Sequence, residues 1–199
     1  MRVVPRAHPA DATLLAYAAG RLGPAFRVAV RIHAAGCAQC AARLDEGTAL
    51  GGALLASEGP AEMAPGALEA TLARVDTRET PRRPRRALSQ RWTWPVAPGV
   101  RHALLMAAEG ESLHLFRVRP EASLPAHDHG GVELTCVLEG AFHDGVGAYA
   151  AGDAVPMRPG HGHEPIATGG QDCVCLLAVQ GRLRFSGLLP RLAQHVLRL

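Results

Sequence analysis

A short run of histidine and cysteine residues early in the chain has the spacing of a metal site. His33, Cys37 and Cys40 lie four and then three residues apart, so their side chains share one face if the run is helical. One imidazole and two thiolates suit Zn²⁺, which prefers four tetrahedral nitrogen and sulfur ligands. A structural site would take its fourth ligand from elsewhere, and His8 is the best candidate because it lies just ahead of the first helical pattern. A catalytic site would leave the fourth position to water.

Two other interpretations of the Cys37–Cys40 pair compete with a metal site. Buried free cysteines pack well as small hydrophobic side chains. A thioredoxin-like redox pair would follow a strand, whereas this run lies within a helical pattern. The histidine upstream favours a metal, and five cysteines without a signal-peptide core do not suggest a disulfide framework. We therefore expect a zinc site in a protein of the reducing cytoplasm.

A second group of candidate ligands lies in the C-terminal half. His127, His129 and Glu133 are all odd-numbered, so one extended backbone would direct the three side chains to the same face. A third imidazole can come from His161 or His163 on a neighbouring strand. Three nitrogens and one carboxylate oxygen would bind a borderline divalent cation such as Zn²⁺, Mn²⁺, Fe²⁺ or Ni²⁺, and the spacing does not choose among them.

Four helical segments must position the first group. We predict helices over residues 10–22, with Asp11 as N-cap, from Pro24 through the metal run, over 41–55 and over 65–75. A unit of this size has a small core, and a structural zinc commonly compensates for that. Its apolar stripes are wide for so small a bundle, which suggests that part of the apolar surface meets a partner.

The arginine-rich residues 79–91 separate two regions of different pattern. We interpret them as a solvated, proline-stiffened linker rather than a nucleic-acid contact, because the formal net charge of the chain is only +3. The predicted domains are 1–78, helical, and 92–199, β-rich. No apolar run reaches the roughly 18 residues of a membrane span, so we expect neither membrane nor direct nucleic-acid binding.

Beyond the linker the hydrophobic pattern has a period of two. Short strands are predicted over 113–118, 134–138, 148–150 and 173–179, with turn signals at residues 144–145 and 169–170. Many short strands without intervening helices favour a double-sheet antiparallel barrel. The predicted fold class is therefore α+β, with a small zinc-binding helical bundle followed by an antiparallel jelly-roll barrel.

The second group of ligands has a recognisable motif. HxHxxxE, followed by six residues and Gly140, is similar to the first metal-binding motif of the cupin superfamily, although Glu121 replaces the usual preceding glycine. The Gly152-Asp153 pair and residues 159–163 resemble the second cupin motif. That resemblance favours His163 over His161 as the last ligand, because Gly160-x-x-His163 keeps the end of the motif.

The two halves together resemble the ChrR-type anti-sigma factors. Besides His8 and the HxxxCxxC run, residues 14–20, 133–142 and 172–178 carry the likeness, which covers nearly the whole chain. The resemblance implies that the helical domain wedges between the two helical domains of a sigma-E-type extracytoplasmic-function sigma factor. It also implies that the cupin domain governs release of that factor in response to singlet oxygen and related oxidants. The implied ligands are His8, His33, Cys37 and Cys40 for zinc, and His127, His129, Glu133 and His163 for the cupin metal.

The rival function is enzymatic. A cupin dioxygenase or isomerase with an accessory helical domain could use the same three histidines and glutamate, but the sequence shows no other acid–base group near the motif. We interpret Cys173, Cys175 and Cys136 as core packing rather than as oxidant-sensitive thiols. The remaining histidines have no partner at useful spacing and are expected to be structural or exposed: His102, His114, His143 and His195.

Overall fold

The computed structural model describes residues 4–76, 93–181 and 183–186. Within these ranges four α-helices precede eleven β-strands, and the predicted α+β class is confirmed. The helices are α1 (Asp11–Ala18), α2 (Pro24–Gly36), α3 (Ala38–Ser57) and α4 (Ala67–Asp76). None of the helices in the described part of the chain is both long enough and apolar enough to cross a membrane.

The first helix is shorter than predicted. Ala10 is its N-cap and Asp11 is its first helical residue, so the prediction of Asp11 as N-cap is wrong. The helix ends at Ala18 because Gly20, with φ of 68°, turns the backbone into the left-handed region. Pro24 occupies the start of α2, as predicted, where its missing N–H costs no hydrogen bond.

The metal run does not form one continuous helix, contrary to the prediction. Cys37 has extended backbone angles, φ −113° and ψ 104°, and it separates α2 from α3. This break reorients the chain between His33 and Cys40. Of the 20 residues of α3, all within the described ranges, only Cys40 is buried. The long helix therefore has almost no core contact of its own.

The described strands form three antiparallel sheets. The strands are β1 (Thr93–Ala97), β2 (Val100–Ala108), β3 (Glu111–Val118), β4 (His127–His129), β5 (Glu133–Glu139), β6 (Ala141–His143), β7 (Ala148–Ala150), β8 (Ala154–Met157), β9 (Ile166–Thr168), β10 (Cys173–Gln180) and β11 (Leu183–Phe185). The large sheet has the order β1-β2-β3-β10-β5-β8, and it faces the smaller sheets β11-β4 and β7-β6-β9. This is the predicted double-sheet barrel.

Two hydrophobic clusters hold the described residues together. One fills the barrel and includes Phe116, Leu177 and Phe185. The other joins the helices to the outer face of the large sheet, with Phe26 and Val30 of α2 packed among residues of β2, β3, β5 and β10. The second cluster is therefore shared by the helical layer and the large sheet. The predicted linker 79–91 lies outside the described residues.

Two positions of the cupin motif, Gly140 and Glu121, have a left-handed backbone conformation. Gly140 has φ of 70°, and a Cβ there would lie 2.5 Å from the carbonyl oxygen of Asp172, so only glycine fits between β5 and β6. Glu121, which stands where the cupin motif has glycine, keeps the left-handed conformation with φ of 65°. A non-glycine residue in this region costs about 1–2 kcal/mol.

Candidate metal centres

The helical centre brings together the four predicted ligands of the N-terminal half. The ligand atoms of His8, His33, Cys37 and Cys40 all lie within 4.8 Å of one another. His8 Nδ1 is 3.4 Å from His33 Nε2, 3.5 Å from Cys37 Sγ and 3.4 Å from Cys40 Sγ. Zinc–ligand bonds at tetrahedral angles would place two nitrogens about 3.4 Å apart and a nitrogen and a sulfur about 3.6 Å apart. The donor set and its spacing therefore fit a zinc ion.

Four separate elements position these ligands. His8 lies in the segment that leads into α1, His33 in the last turn of α2, Cys37 at the break and Cys40 in the first turn of α3. The break at Cys37, rather than one helical face, makes the sulfurs and the imidazoles converge. A metal bound here would join three helical elements at their ends.

The tautomer of His33 suits a metal ligand, whereas Cys40 would have to lose its proton on metal binding. The outer nitrogen of His33, Nδ1, lies 2.9 Å from the carbonyl oxygen of Gly152, so it carries the proton and leaves Nε2 free to face the other ligands. Burial lowers the pKa of His33, which favours the neutral imidazole. Burial, together with a hydrogen bond to Cys37, raises the pKa of Cys40 to about 11. A bound cation would reverse that shift and stabilise the thiolate.

The barrel centre brings together three histidines from separate parts of the motif. The ligand nitrogens of His127, His129 and His163 all lie within 4.8 Å of one another, and the Nε2 atoms of His127 and His163 are 3.1 Å apart. All three side chains are buried. Desolvation lowers the pKa of His127 to about 3 and that of His129 to about 4. Neutral imidazoles at physiological pH are ready to ligate without losing a proton.

Glu133, the predicted fourth ligand, lies beside the three histidines but outside the group whose ligand atoms are all within 4.8 Å of one another. Its Oε2 atom is 3.4 Å from His129 Nε2, yet neither atom has a hydrogen-bond partner among the described residues. Buried polar atoms normally have hydrogen-bond partners. Two that face each other without one are arranged as expected for atoms that bind the same cation. Burial raises the pKa of Glu133 to about 7, although the hydroxyl of Thr135 donates a hydrogen bond to its Oε1 at 2.6 Å.

Outer hydrogen bonds orient the barrel imidazoles. The Nδ1 atom of His127 donates to the carbonyl oxygen of Pro125 at 2.9 Å, and the Nδ1 atom of His163 faces a carboxylate oxygen of Asp144 at 3.4 Å. Both rings therefore present Nε2 to the centre. Asp144 also accepts the backbone N–H groups of Val146 and Gly147, so the β6–β7 turn holds its carboxylate in place.

The structure corrects how the barrel ligands converge. Strand β4 ends at His129 and Glu133 begins β5, which belongs to a different sheet, so the prediction of one extended strand is wrong. The chain turns through Gly130 and Gly131, and only glycine fits at 131 because a Cβ there would lie 2.3 Å from the carbonyl oxygen of Gln180. His161 is exposed, and His163 is the residue that the fold brings into the centre.

The three cysteines outside the helical centre are buried in the protein interior. Cys173 and Cys175 are buried with their sulfurs 3.5 Å apart, and both line a barrel cavity of about 30 Å³ beside the candidate metal ligands. Cys136 is buried between β5 and α2, where its thiol faces the carbonyl oxygen of Ala29 at 3.6 Å.

Two of the histidines expected to lack a partner have one. Nε2 of His102 is 2.9 Å from Nδ1 of His114, whose Nε2 lies 2.7 Å from the Ser112 hydroxyl. Both imidazoles are buried, which agrees with a structural role, whereas the expectation that they lack a partner is wrong. His143 is half-buried, and His195 lies outside the described residues.

Sequence reasoning missed the residues that support the ligands. Gly152 and Asp144 are far from the ligands in the chain, and no periodic pattern identifies their contacts. The available signals were the turn at residues 144–145 and the Gly152-Asp153 pair of the second cupin motif, which indicate turns but not their contacts with the ligands.

Comparison with known proteins places both halves in one family. A family model described as the ChrR cupin-like domain matches residues 86–182. The anti-sigma-E factor ChrR of Cereibacter sphaeroides is 36% identical over 211 residues, which cover 98% of this chain and 99% of the relative. This chain belongs to the ChrR family of anti-sigma factors.

A solved structure supports the same assignment. The crystal structure of Rhodobacter sphaeroides SigE in complex with the anti-sigma ChrR matches with a TM-score of 0.77 and 35% identity. The match covers 88% of this chain and 100% of that one, so it includes both the helical layer and the barrel. The predicted resemblance to ChrR-type proteins is confirmed.

Proposed function

We propose that this ChrR-family protein is an anti-sigma factor that sequesters an extracytoplasmic-function sigma factor of the sigma-E type. Its similarity to the anti-sigma-E factor ChrR extends over the whole chain, and its structural relative was solved bound to SigE. This similarity favours a regulator over the alternative, a cupin dioxygenase or isomerase. The observation that carries the proposal is an exposed apolar surface on the helices.

That surface lies on the second half of α3, on α4 and between them. Seven large apolar side chains there are each more than half exposed; we call them the α3–α4 apolar surface: Leu50, Leu54, Leu55, Met63, Leu68, Leu72 and Val75. Soluble proteins rarely leave so many large apolar side chains in water unless the region binds a partner. The two faces of an amphipathic helix pair are suited to pack against helices of a sigma factor.

The helical metal would control this surface. Cys40 is the only buried residue of α3, so the helix depends on its N-terminal end for its position. A zinc ion shared by His8, His33, Cys37 and Cys40 would fix that end against α2 and the segment before α1. Zinc binding and the folding of the sigma-binding helices would then be one equilibrium.

The barrel centre has a different proposed role. His127, His129, Glu133 and His163 would hold a second divalent ion, with Zn²⁺ the first choice, and the barrel would sense oxidants such as singlet oxygen. Because α2 packs on the outer face of β5 and β10, a change in the barrel can reach the helices. The bound sigma factor would be blocked from core RNA polymerase in the cytoplasm, and released when the barrel responds.

The apolar surface can be tested by charge substitution. Leu54→Arg and Leu72→Arg should each weaken binding to a sigma-E-type factor by about tenfold or more, since each removes a large apolar contact. Val146→Arg is the matched control, because Val146 is also more than half exposed but lies in the β6–β7 turn of the barrel. Zinc content and thermal stability should stay at wild-type values in all three variants. Unchanged binding by both leucine variants would contradict the proposed surface.

A further inference from the structure

The barrel touches the helical centre directly, at the turn between β7 and β8. Gly152 and Asp153 form this turn, and two backbone hydrogen bonds join it to Val137 of β5 at 2.9 Å each. The turn is thus a fixed part of the large sheet. Its outward side contacts one helical ligand, His33, and the two residues that precede another, His8.

The first contact is to His33. The carbonyl oxygen of Gly152 accepts a hydrogen bond from His33 Nδ1 at 2.9 Å, which orients the ring toward the other ligands. Gly152 has φ of 101°, and a Cβ there would lie 3.3 Å from Pro5. The N-terminal segment thus packs over the turn closely enough that a side chain would crowd it.

The second contact is to the chain just before His8. One carboxylate oxygen of Asp153 accepts the backbone N–H groups of Arg6, at 2.6 Å, and of Ala7, at 3.0 Å. The other oxygen accepts the N–H of Ala150 at 2.8 Å, and Asp153 itself is buried. The N–H of Ala154 donates in turn to the carbonyl oxygen of Ala7 at 2.9 Å. Three hydrogen bonds therefore anchor the two residues that precede His8.

We propose that the Gly152-Asp153 turn is a positioning element of the helical metal centre: the Gly152 carbonyl orients His33, and the Asp153 carboxylate holds the segment that presents His8. The inference rests on the proposed zinc at that centre, and it extends the site beyond the helices. Two of the four ligands are placed by the barrel, so the helical centre has its full metal affinity only in the intact chain. Partners of metal ligands typically contribute 10–100-fold to affinity.

The test uses Co²⁺ in place of zinc in the full-length protein. Absorption from thiolate-to-cobalt charge transfer reports only the helical centre, because none of the candidate ligands of the barrel centre contains sulfur. A chelator titration then gives the affinity of that centre, and the total cobalt content minus the content of the helical centre gives the content of the barrel centre. The variants are Asp153→Ala, Asp153→Asn and Arg6→Pro, with Asp172→Asn as control, since Asp172 is a half-exposed barrel residue paired with Arg117 at 3.7 Å.

The expected result is graded. Asp153→Ala should weaken cobalt binding at the helical centre about tenfold or more, and Asp153→Asn, which keeps one carbonyl oxygen, should lose less. Arg6→Pro removes one of the N–H donors and leaves every barrel residue unchanged, so it should weaken the same centre. Barrel cobalt should stay at wild-type content in all of them, and Asp172→Asn should bind like the wild type.

Three results would overturn the inference. Wild-type affinity in Asp153→Ala, or in Arg6→Pro, would show that the anchoring bonds do not position the ligands. Loss of cobalt from both centres in Asp153→Ala would make Asp153 a folding residue of the barrel instead. Absence of any charge-transfer absorption in the wild type would refute the zinc proposal itself, and with it the inference, whereas sigma binding is measured separately.

Discussion

The helical centre combines two thiols with two imidazoles and includes the half-buried His8, whereas the barrel centre combines three buried imidazoles, with the buried carboxylate of Glu133 beside His129. The surroundings differ as much as the donors. The barrel closes around a hydrophobic cluster of its own, but α3 has one buried residue, and that residue is Cys40. A metal would thus be an addition to a finished barrel, whereas at the helical centre it would fix the end of α3, a helix with a single buried residue.

This contrast indicates how one chain could combine a stable barrel, proposed as the sensor, with less stable helices that bind and release the sigma factor. Elements with few buried contacts lie at the low-stability end of a protein and can open without global unfolding. The α3–α4 apolar surface belongs to such elements, while the barrel belongs to the stable end. The shared cluster under α2 and the Gly152-Asp153 turn connect the two.

The largest effect should come from removing the thiols. Cys37→Ser combined with Cys40→Ser should lose one equivalent of zinc and the hydrogen-exchange protection of α1 and α3, because the ion replaces a core there. Strand β10, at the centre of the large sheet, should keep its protection. Hydrogen exchange measured by mass spectrometry separates the two regions. Protection of α3 in the variant would contradict the proposal that the ion stabilises this helix.

Replacing Glu133, a candidate ligand of the barrel centre, should have a large effect on metal binding in the barrel but not on sigma binding. Glu133→Gln keeps the shape of the side chain and removes its charge, so barrel metal affinity should fall by at least about 100-fold while sigma binding persists. Glu133→Ala or His127→Ala should likewise keep sigma bound and blunt its release by oxidants. Metal analysis of the purified complex, followed by sigma release after singlet-oxygen exposure, checks both statements. Normal release from a metal-free barrel would remove its proposed role as sensor.

A smaller effect concerns acid stability of the barrel. Burial lowers the pKa of His102 to about 4 and that of His114 to about 3, so the unfolded chain binds protons at these sites below pH 6.5 while the folded barrel does not. Folding stability should therefore fall as pH decreases from about 6.5 to about 3, by a few kcal/mol from this pair. Urea unfolding of metal-free protein across this range should show a weaker pH dependence in a His102→Gln, His114→Gln double variant. Identical slopes would exclude the pair as a source of acid sensitivity.

The smallest effect tests the motif itself. Glu121→Gly should relieve a left-handed backbone that non-glycine residues adopt at a cost of about 1–2 kcal/mol, offset in part by the greater chain entropy of glycine. The expected gain in barrel stability is about 0.5–1 kcal/mol, with no change in metal content at either centre. Thermal unfolding against Glu109→Gly, which has φ of 56° in the β2–β3 turn, provides the comparison. A loss of stability at position 121 would mean that its side chain makes a contact worth more than the strain.

Sequence reasoning found residue types and element order, but not the places where elements break. Spacing brought Cys37 and Cys40 into one group, although the convergence comes from an extended Cys37 and not from one helical face. Parity grouped His129 with Glu133, yet a turn separates the strands that carry them. Gly152 and His33 are 119 residues apart, and periodicity within a segment cannot show such a contact. The family resemblance supplied the ligand set that local rules left open.

The most direct test of the central claim is the affinity of a sigma-E-type factor for the wild-type chain and for the Cys37→Ser, Cys40→Ser variant, measured by calorimetry at equal protein concentration. If an ion at His8, His33, Cys37 and Cys40 arranges the helices that hold sigma, the variant should bind at least about 100-fold more weakly, a difference of about 2.7 kcal/mol. Binding within about twofold of the wild type would contradict the account.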